Sequence, residues 1–330
     1  MRPDIWGSKV LQSVVPVVEA AKHVTVYPDK IKSTAEWLAY EEFAPSDGSL
    51  LFDFGNDPDV IMDFQLVLNT MNFAFTDFET GIKFETDYMG RRWSDSEAVV
   101  ASVHRAVTAG IPFLSGDYLA SVTRSDLEQV FEGTIEMPLL DDRVELFNSV
   151  GEVLVEKYEG RFAKFVRSCT PRLYADGDGL LDRLPVEFPR FQDVSIWRDS
   201  EVYFYKLAQL GIWGMHLALN PRKLWALEDT HMISAFADYI VPVALRVTGI
   251  FSYSAELEEK ITHGVEIPED SLEEIELRAG SLFAIAHLTD EVNALRVGMT
   301  PLLQPQVDFR FWKSYHATHF PHHLTKTRMY

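Results

Sequence analysis

One cysteine, Cys169, stands in a chain of 330 residues. That excludes an intrachain disulfide and any zinc site built on several thiolates. Apolar runs fall short of the ~18–20 residues a helix needs to cross a bilayer. Met1-Arg2-Pro3-Asp4 is not followed by an apolar h-region. Neither a membrane span nor a secretory signal is expected, and the expected location is cytoplasmic. Bases are scarce: 30 Lys and Arg against 50 Asp and Glu give a net charge of −20. Such a balance argues against a surface that grips duplex DNA or anionic lipid, which needs clustered cations. Several catalytic signatures are missing too: the phosphate loop G-x-x-x-x-G-K-[ST], the dinucleotide fingerprint G-x-G-x-x-G, the nucleophile elbow G-x-S-x-G and the zinc helix H-E-x-x-H.

What is present suits a globular protein, with 47 % hydrophobic and 24 % charged residues. The charge is uneven. Residues 51–100 hold ten acids and three bases, and residues 251–300 hold eleven and three. Residues 301–330 reverse the sign, with one acid, four bases and four histidines, and are a natural place for an anion. The prevailing period is helical. Helices are expected over 8–22, 59–75 (Asp57 as N-cap and Pro58 at the first position), 96–109, 140–157, 206–219, 254–263 and 270–290. A helix over 231–250 is expected to bend at Pro242, and Ser125…Glu128 has capping-box spacing. Phe78–Tyr88, turning at Thr80-Gly81, is the best hairpin candidate, and Asp193–Tyr203 is a second small β element. Residues 305–330 show no clear period. The architecture is mainly α with a minor hairpin element, in a single domain over 1–330 or two closely packed helical lobes.

Most acids sit in solvated runs such as Glu256-Leu-Glu258-Glu259. Asp238, Asp63 and Asp308 differ, because each is flanked by apolar and aromatic residues. A carboxylate in such a setting must be paired or hydrogen-bonded. Each is therefore either a structural acid or a working one. Lys206 follows Tyr203-Phe204-Tyr205 at a strand-to-helix junction, where a lysine and the helix dipole together favour an anion; a lysine whose stem merely packs on apolar surface is the alternative. Asn72 and its flanking Phe73 and Phe75 suit a flat heterocycle, or simply a core. Three imidazoles, His319, His322 and His323, lie within five residues, but neighbouring side chains on an extended segment point apart, so a metal site is not expected.

Together these pieces resemble the queuosine salvage protein family. The match runs from about residue 10 onward: Asn72-Phe73-x-Phe75, Gly110-Ile111-Pro112, Ser115-x-x-Tyr118, Phe191-x-Asp193-Val194, Val202-x-Phe204-Tyr205-Lys206-x-Ala208-Gln209, Phe236-Ala237-Asp238-Tyr239-x-x-Pro242, Glu276-x-Arg278, and Pro321-His322-His323 with Tyr330. The resemblance implies a helical fold similar to helix-hairpin-helix DNA glycosylases. It implies hydrolysis of the N-glycosidic bond of queuosine 5′-monophosphate to queuine and ribose 5-phosphate, for queuine salvage in tRNA modification. Asp238 matches the catalytic aspartate, Lys206 the lysine at the 5′-phosphate, and Asp308 an aspartate that bonds the guanine-like edge of the base. Phe236, Tyr239, Asn72 and Tyr118 complete the expected substrate contacts. A basic residue usual after the tyrosine is replaced by Ile240, and the Gly-x-Gly hairpin of DNA glycosylases is absent. The expected partner is thus a small nucleotide, not duplex nucleic acid or a membrane, with no cofactor and no metal. The rival readings are a non-catalytic RNA- or nucleotide-binding protein and a DNA base glycosylase of the same helical class.

Overall fold

The computed structural model describes residues 4–43 and 48–330. Helix accounts for 52 % and strand for 9 %, with fourteen α-helices and three two-stranded antiparallel sheets among the described residues. No described helix is long and apolar enough to cross a membrane.

Leu272–Leu295 is the longest of these helices and is buried on nearly all sides, its Glu273, Glu274, Glu276 and Arg278 included. Lys9–Glu19, Pro28–Leu38, Val241–Val247 and Gln304–Tyr315 pack against it. A second helix pair, Pro58–Thr70 and Lys206–Leu219, comes close because Gly211 offers no Cβ; one placed there would lie 2.9 Å from Leu66. One continuous apolar core runs from Val10 to Phe311.

Local chemistry sets the element ends. Asp57 accepts the amide of Asp59 and Pro58 opens the helix, as the sequence predicts. The helix Leu140–Lys157 has the expected bounds. Val17 faces the core on the first helix, while Val15 and Val18 are only half-buried. The capping box lies two residues earlier than expected, between Thr123 and Asp126.

Three expectations fail. First, the Thr80-Gly81 turn forms, but it carries a single bridge, Thr76 to Lys83. The regular ladder is the next one, Glu85–Tyr88 with Arg91–Ser94, because Met89 and Gly90 both adopt the positive φ that a two-residue hairpin turn demands. Arg198 and Asp199 do the same for Val194–Trp197 and Ser200–Tyr203, the second β element that the sequence predicts. Second, no helix spans 231–250. Residues 233–240 are irregular, and Pro242 sits in the first turn of Val241–Val247 rather than bending a longer helix. Third, the stretch without clear period contains the helix Gln304–Tyr315.

Candidate active site

Irregular backbone inside a protein must find its hydrogen bonds outside the helical ladder. Segment 233–240 finds them on two flanking helices. The Ser234 amide donates to Gln209 Oε1 at 3.0 Å, the Ala235 amide to Gln304 Oε1 at 3.1 Å, and the Phe236 amide to Asp308 Oδ2 at 3.0 Å. Gln209 Nε2 donates in turn to Ser234 Oγ at 2.8 Å. Asp238 follows, and its Oδ1 accepts the Ile240 amide at 2.8 Å just before the helix Val241–Val247. The aspartate is thus held at an irregular joint rather than on a helix face.

Its other oxygen, Oδ2, lies 3.1 Å from Lys206 Nζ, and the two residues are only 8 % and 5 % exposed. Lys206 is aimed by the start of its own helix. Tyr205 adopts a left-handed conformation with φ 51°, and the Lys206 amide donates to Asp193 Oδ2 at 3.1 Å. Asp193 is gripped at both oxygens by Arg278, at 2.9 and 2.7 Å. The Arg278 guanidinium lies over Phe204 at 3.9 Å and over Tyr330 at 4.6 Å. Arg278 on the buried helix therefore fixes Asp193, Asp193 fixes the first turn of the next helix, and that turn delivers the ammonium to Asp238. Asp308 is 3 % exposed, and burial, reinforced by the charge of nearby Asp238, pushes its pKa well above the ordinary carboxyl value.

Beside this group is a cavity of about 360 Å³, within the range of small-molecule sites. Its walls come from Ala74–Phe78, from Tyr239, Ile240 and Val243, and from Tyr315 through Tyr330. Tyr239 tilts against His322 with ring centres 4.8 Å apart. Asp238, Lys206, Phe236 and Asp308 are buried next to this wall rather than on its lining. At the rim Lys83 Nζ pairs with Asp95 Oδ2 at 2.8 Å, and His316 lies 3.9 Å from the same oxygen. His322 and His323 are engaged singly, His322 Nδ1 with the His323 carbonyl at 2.9 Å and His323 Nε2 with the Tyr330 hydroxyl at 3.3 Å. No group of three or more metal-type side chains converges among the described residues.

The structure thus brings Asp238, Lys206, Asp308, Phe236 and Tyr239 together. Asn72 lies two residues before the wall and donates to Asn69 Oδ1 at 3.1 Å. Tyr118 is elsewhere: it sits on Gly116–Leu119 against the helix Leu140–Lys157, with its ring 6.0 Å from Phe113. Asp63 is a structural acid, bonded to Arg161 and to the Ala163 amide, and burial pushes its pKa up to about 6.

Two supports escaped the sequence reading. Arg143 donates to the carbonyls of Pro138, Met71, Phe73 and Ala74 at 2.5–2.9 Å. Arg190 donates to the Thr70 carbonyl at 2.6 Å. Both are fully buried, and burial pushes each pKa down to about 9, still charged at neutral pH. They hold the end of the helix Pro58–Thr70 and the cavity wall that follows it. In sequence, Asp141-Asp142-Arg143 looks like an ordinary solvated charge run, and nothing marks it out.

Comparison with known proteins shows the family. The queuosine salvage protein family matches residues 52–330. The queuosine 5′-phosphate N-glycosylase/hydrolase of Sphaerobacter thermophilus is 32 % identical over 97 % of this chain and 97 % of its own length. Proteins of the same name from Dictyostelium discoideum and Bos taurus are 30 % and 28 % identical, over 80 % and 77 % of this chain and 77 % and 71 % of theirs. The chain belongs to the queuosine salvage protein family.

Proposed function

We propose that this chain hydrolyses the N-glycosidic bond of queuosine 5′-monophosphate, releasing queuine and ribose 5-phosphate for tRNA modification. The observation that carries this reading is the buried Asp238–Lys206 pair beside a nucleotide-sized cavity. Cleavage of an N-glycoside develops positive charge on the sugar, as in glycoside hydrolysis. A fixed carboxylate at C1′, shielded from water, stabilises that charge, an effect of about 3–4 kcal/mol for one preorganised group. Asp238 takes this role and also orients the attacking water. Lys206 keeps one N–H on Asp238 and offers the others to an oxygen of the 5′-phosphate. Asp308 accepts the N–H edge of the base, and Phe236, Tyr239 and Asn72 shape the surrounding surface.

The same reading covers what lies around the site. The chain forms one domain, a reading the continuous core supports, and the family resemblance implies an arrangement of the helix-hairpin-helix glycosylase kind. The protein acts in the cytoplasm on a free nucleotide, and its charge of −20 disfavours duplex nucleic acid. Incubation of the purified protein with queuosine 5′-monophosphate, with mass detection of free queuine, tests the proposal. Intact nucleotide after prolonged incubation would refute it.

A further inference from the structure

His323 lines the cavity and is only 2 % exposed. Its Nε2 faces the Tyr330 hydroxyl at 3.3 Å. Its Nδ1 is buried and has no hydrogen-bond partner among the described residues. Buried side-chain nitrogens are seldom left so, and each exception asks for a reason. The backbone around it is pinned. Leu324 bridges to Glu266 and accepts the Ile267 amide at 2.8 Å, and the His323 carbonyl faces His322 Nδ1 at 2.9 Å. The ring is therefore held in place with one nitrogen uncommitted.

We propose that His323 Nδ1 forms a hydrogen bond with the bound nucleotide, which makes His323 a substrate-binding residue. Burial, reinforced by the nearby Glu274, keeps Tyr330 protonated. A neutral imidazole has one N–H and one lone pair, so whichever role Nε2 takes toward Tyr330, Nδ1 is left with the other. Burial pushes the imidazole pKa down to about 3, so the ring is neutral. The ligand group that suits a neutral ring is an uncharged one, either a ribose hydroxyl or the edge of the base.

This inference rests on reading the cavity as the nucleotide site. Its test compares wild type with His323→Phe, His323→Asn and His323→Gln, by kcat/KM on queuosine 5′-monophosphate and by thermal melt. Asn places an oxygen near the position of Nδ1, whereas Gln reaches the position of Nε2. The expected result is a tenfold or greater loss for Phe, carried mainly in KM, with Asn recovering more than Gln. A Phe variant within twofold of wild type overturns the proposal. So does recovery by Gln rather than Asn, which would confine the ring to its Tyr330 contact. Should the Phe variant fail to fold, the Asn–Gln comparison alone decides. With the 2′-deoxy nucleotide, a wild-type to Phe ratio that collapses toward one assigns the partner of Nδ1 to the 2′-hydroxyl; an unchanged ratio assigns it to the rest of the nucleotide. Wild type that releases no queuine defeats the proposed reaction first, and this inference with it.

Discussion

Replacing Arg278 by methionine removes the cation that grips Asp193 at 2.9 and 2.7 Å. Arg278 and Asp193 are 2 % and 3 % exposed, so water does not replace the lost partner. At an effective dielectric of about 20, unit charges about 4 Å apart attract by about 4 kcal/mol. Breaking a buried pair on one side costs about 3–5 kcal/mol, because the remaining charge is stranded. Unfolding entropy of about 2.1 cal/mol/K per residue, over 330 residues, gives about 0.7 kcal/mol/K. The expected fall in Tm is thus about 4–7 °C by calorimetry. The double variant Arg278→Met, Asp193→Leu removes both charges of this pair and should regain part of that loss, since apolar replacements of buried pairs are commonly near neutral, while buried Glu274, 3.6 Å from Arg278, still lacks its cation. It would still lack the bond from the Lys206 amide to Asp193, worth about 1 kcal/mol. Both variants should lose kcat more than KM, because the ammonium beside Asp238 loses its anchor. A single variant within about 1 kcal/mol of wild type, or a double variant less stable than the single, would refute the reasoning.

Other outcomes follow from the same geometry. Asp238→Asn should lower queuine release by about a hundred- to a thousandfold while the melt stays cooperative; near-normal turnover would remove Asp238 from the chemistry. Lys206→Ala should lose more on queuosine 5′-monophosphate than on the unphosphorylated nucleoside, and equal losses would confine Lys206 to its contact with Asp238. Burial holds His323 at about 3 against 6.5 for a free imidazole, so between these values the unfolded chain binds a proton that the folded chain does not. Its stabilising effect is complete above about pH 6.5 and is lost as the pH falls toward 3, with a limiting slope of about 1.4 kcal/mol per unit. Denaturant titrations from pH 4 to 7 should therefore show a shallower dependence for His323→Phe, and parallel curves would contradict this assignment.

Much of this was legible in the sequence, for reasons that differ by residue. Asp57-Pro58 marks a helix start because capping and a fixed φ act within one turn. Asp238, Asp63 and Asp308 stood out because an acid among aromatics needs a partner. What sequence could not say is which partner each would have: Arg161 for Asp63, a backbone amide for Asp308, Lys206 for Asp238. Those choices depend on chain crossings between distant segments. The absent helix over 231–250 has the same origin. Its apolar pattern fits a helix, but the side chains of Gln209, Gln304 and Asp308 satisfy the backbone in another conformation. Gln304–Tyr315 was hidden for the opposite reason: Phe309 is 55 % exposed on a helix that buries Asp308, so its apolar residues do not trace one face. Tyr118 belongs to a motif of the family, yet its position is explained by packing on Phe113.

The cavity walls come from segments that begin near residue 74, near residue 239 and near residue 315. No contiguous stretch of chain contains the whole site. A fragment could form its own helices and still have nowhere to put a nucleotide, so recognition exists only once the distant parts have closed on one another. Occupancy and global folding are therefore coupled: a ligand at one hundred times its Kd adds about 2.7 kcal/mol to the whole molecule rather than to one lobe of it. Saturating nucleotide should protect amides of the first helices and of the C-terminal helix alike against exchange through global opening. In this protein the substrate acts, in effect, as a last tertiary contact.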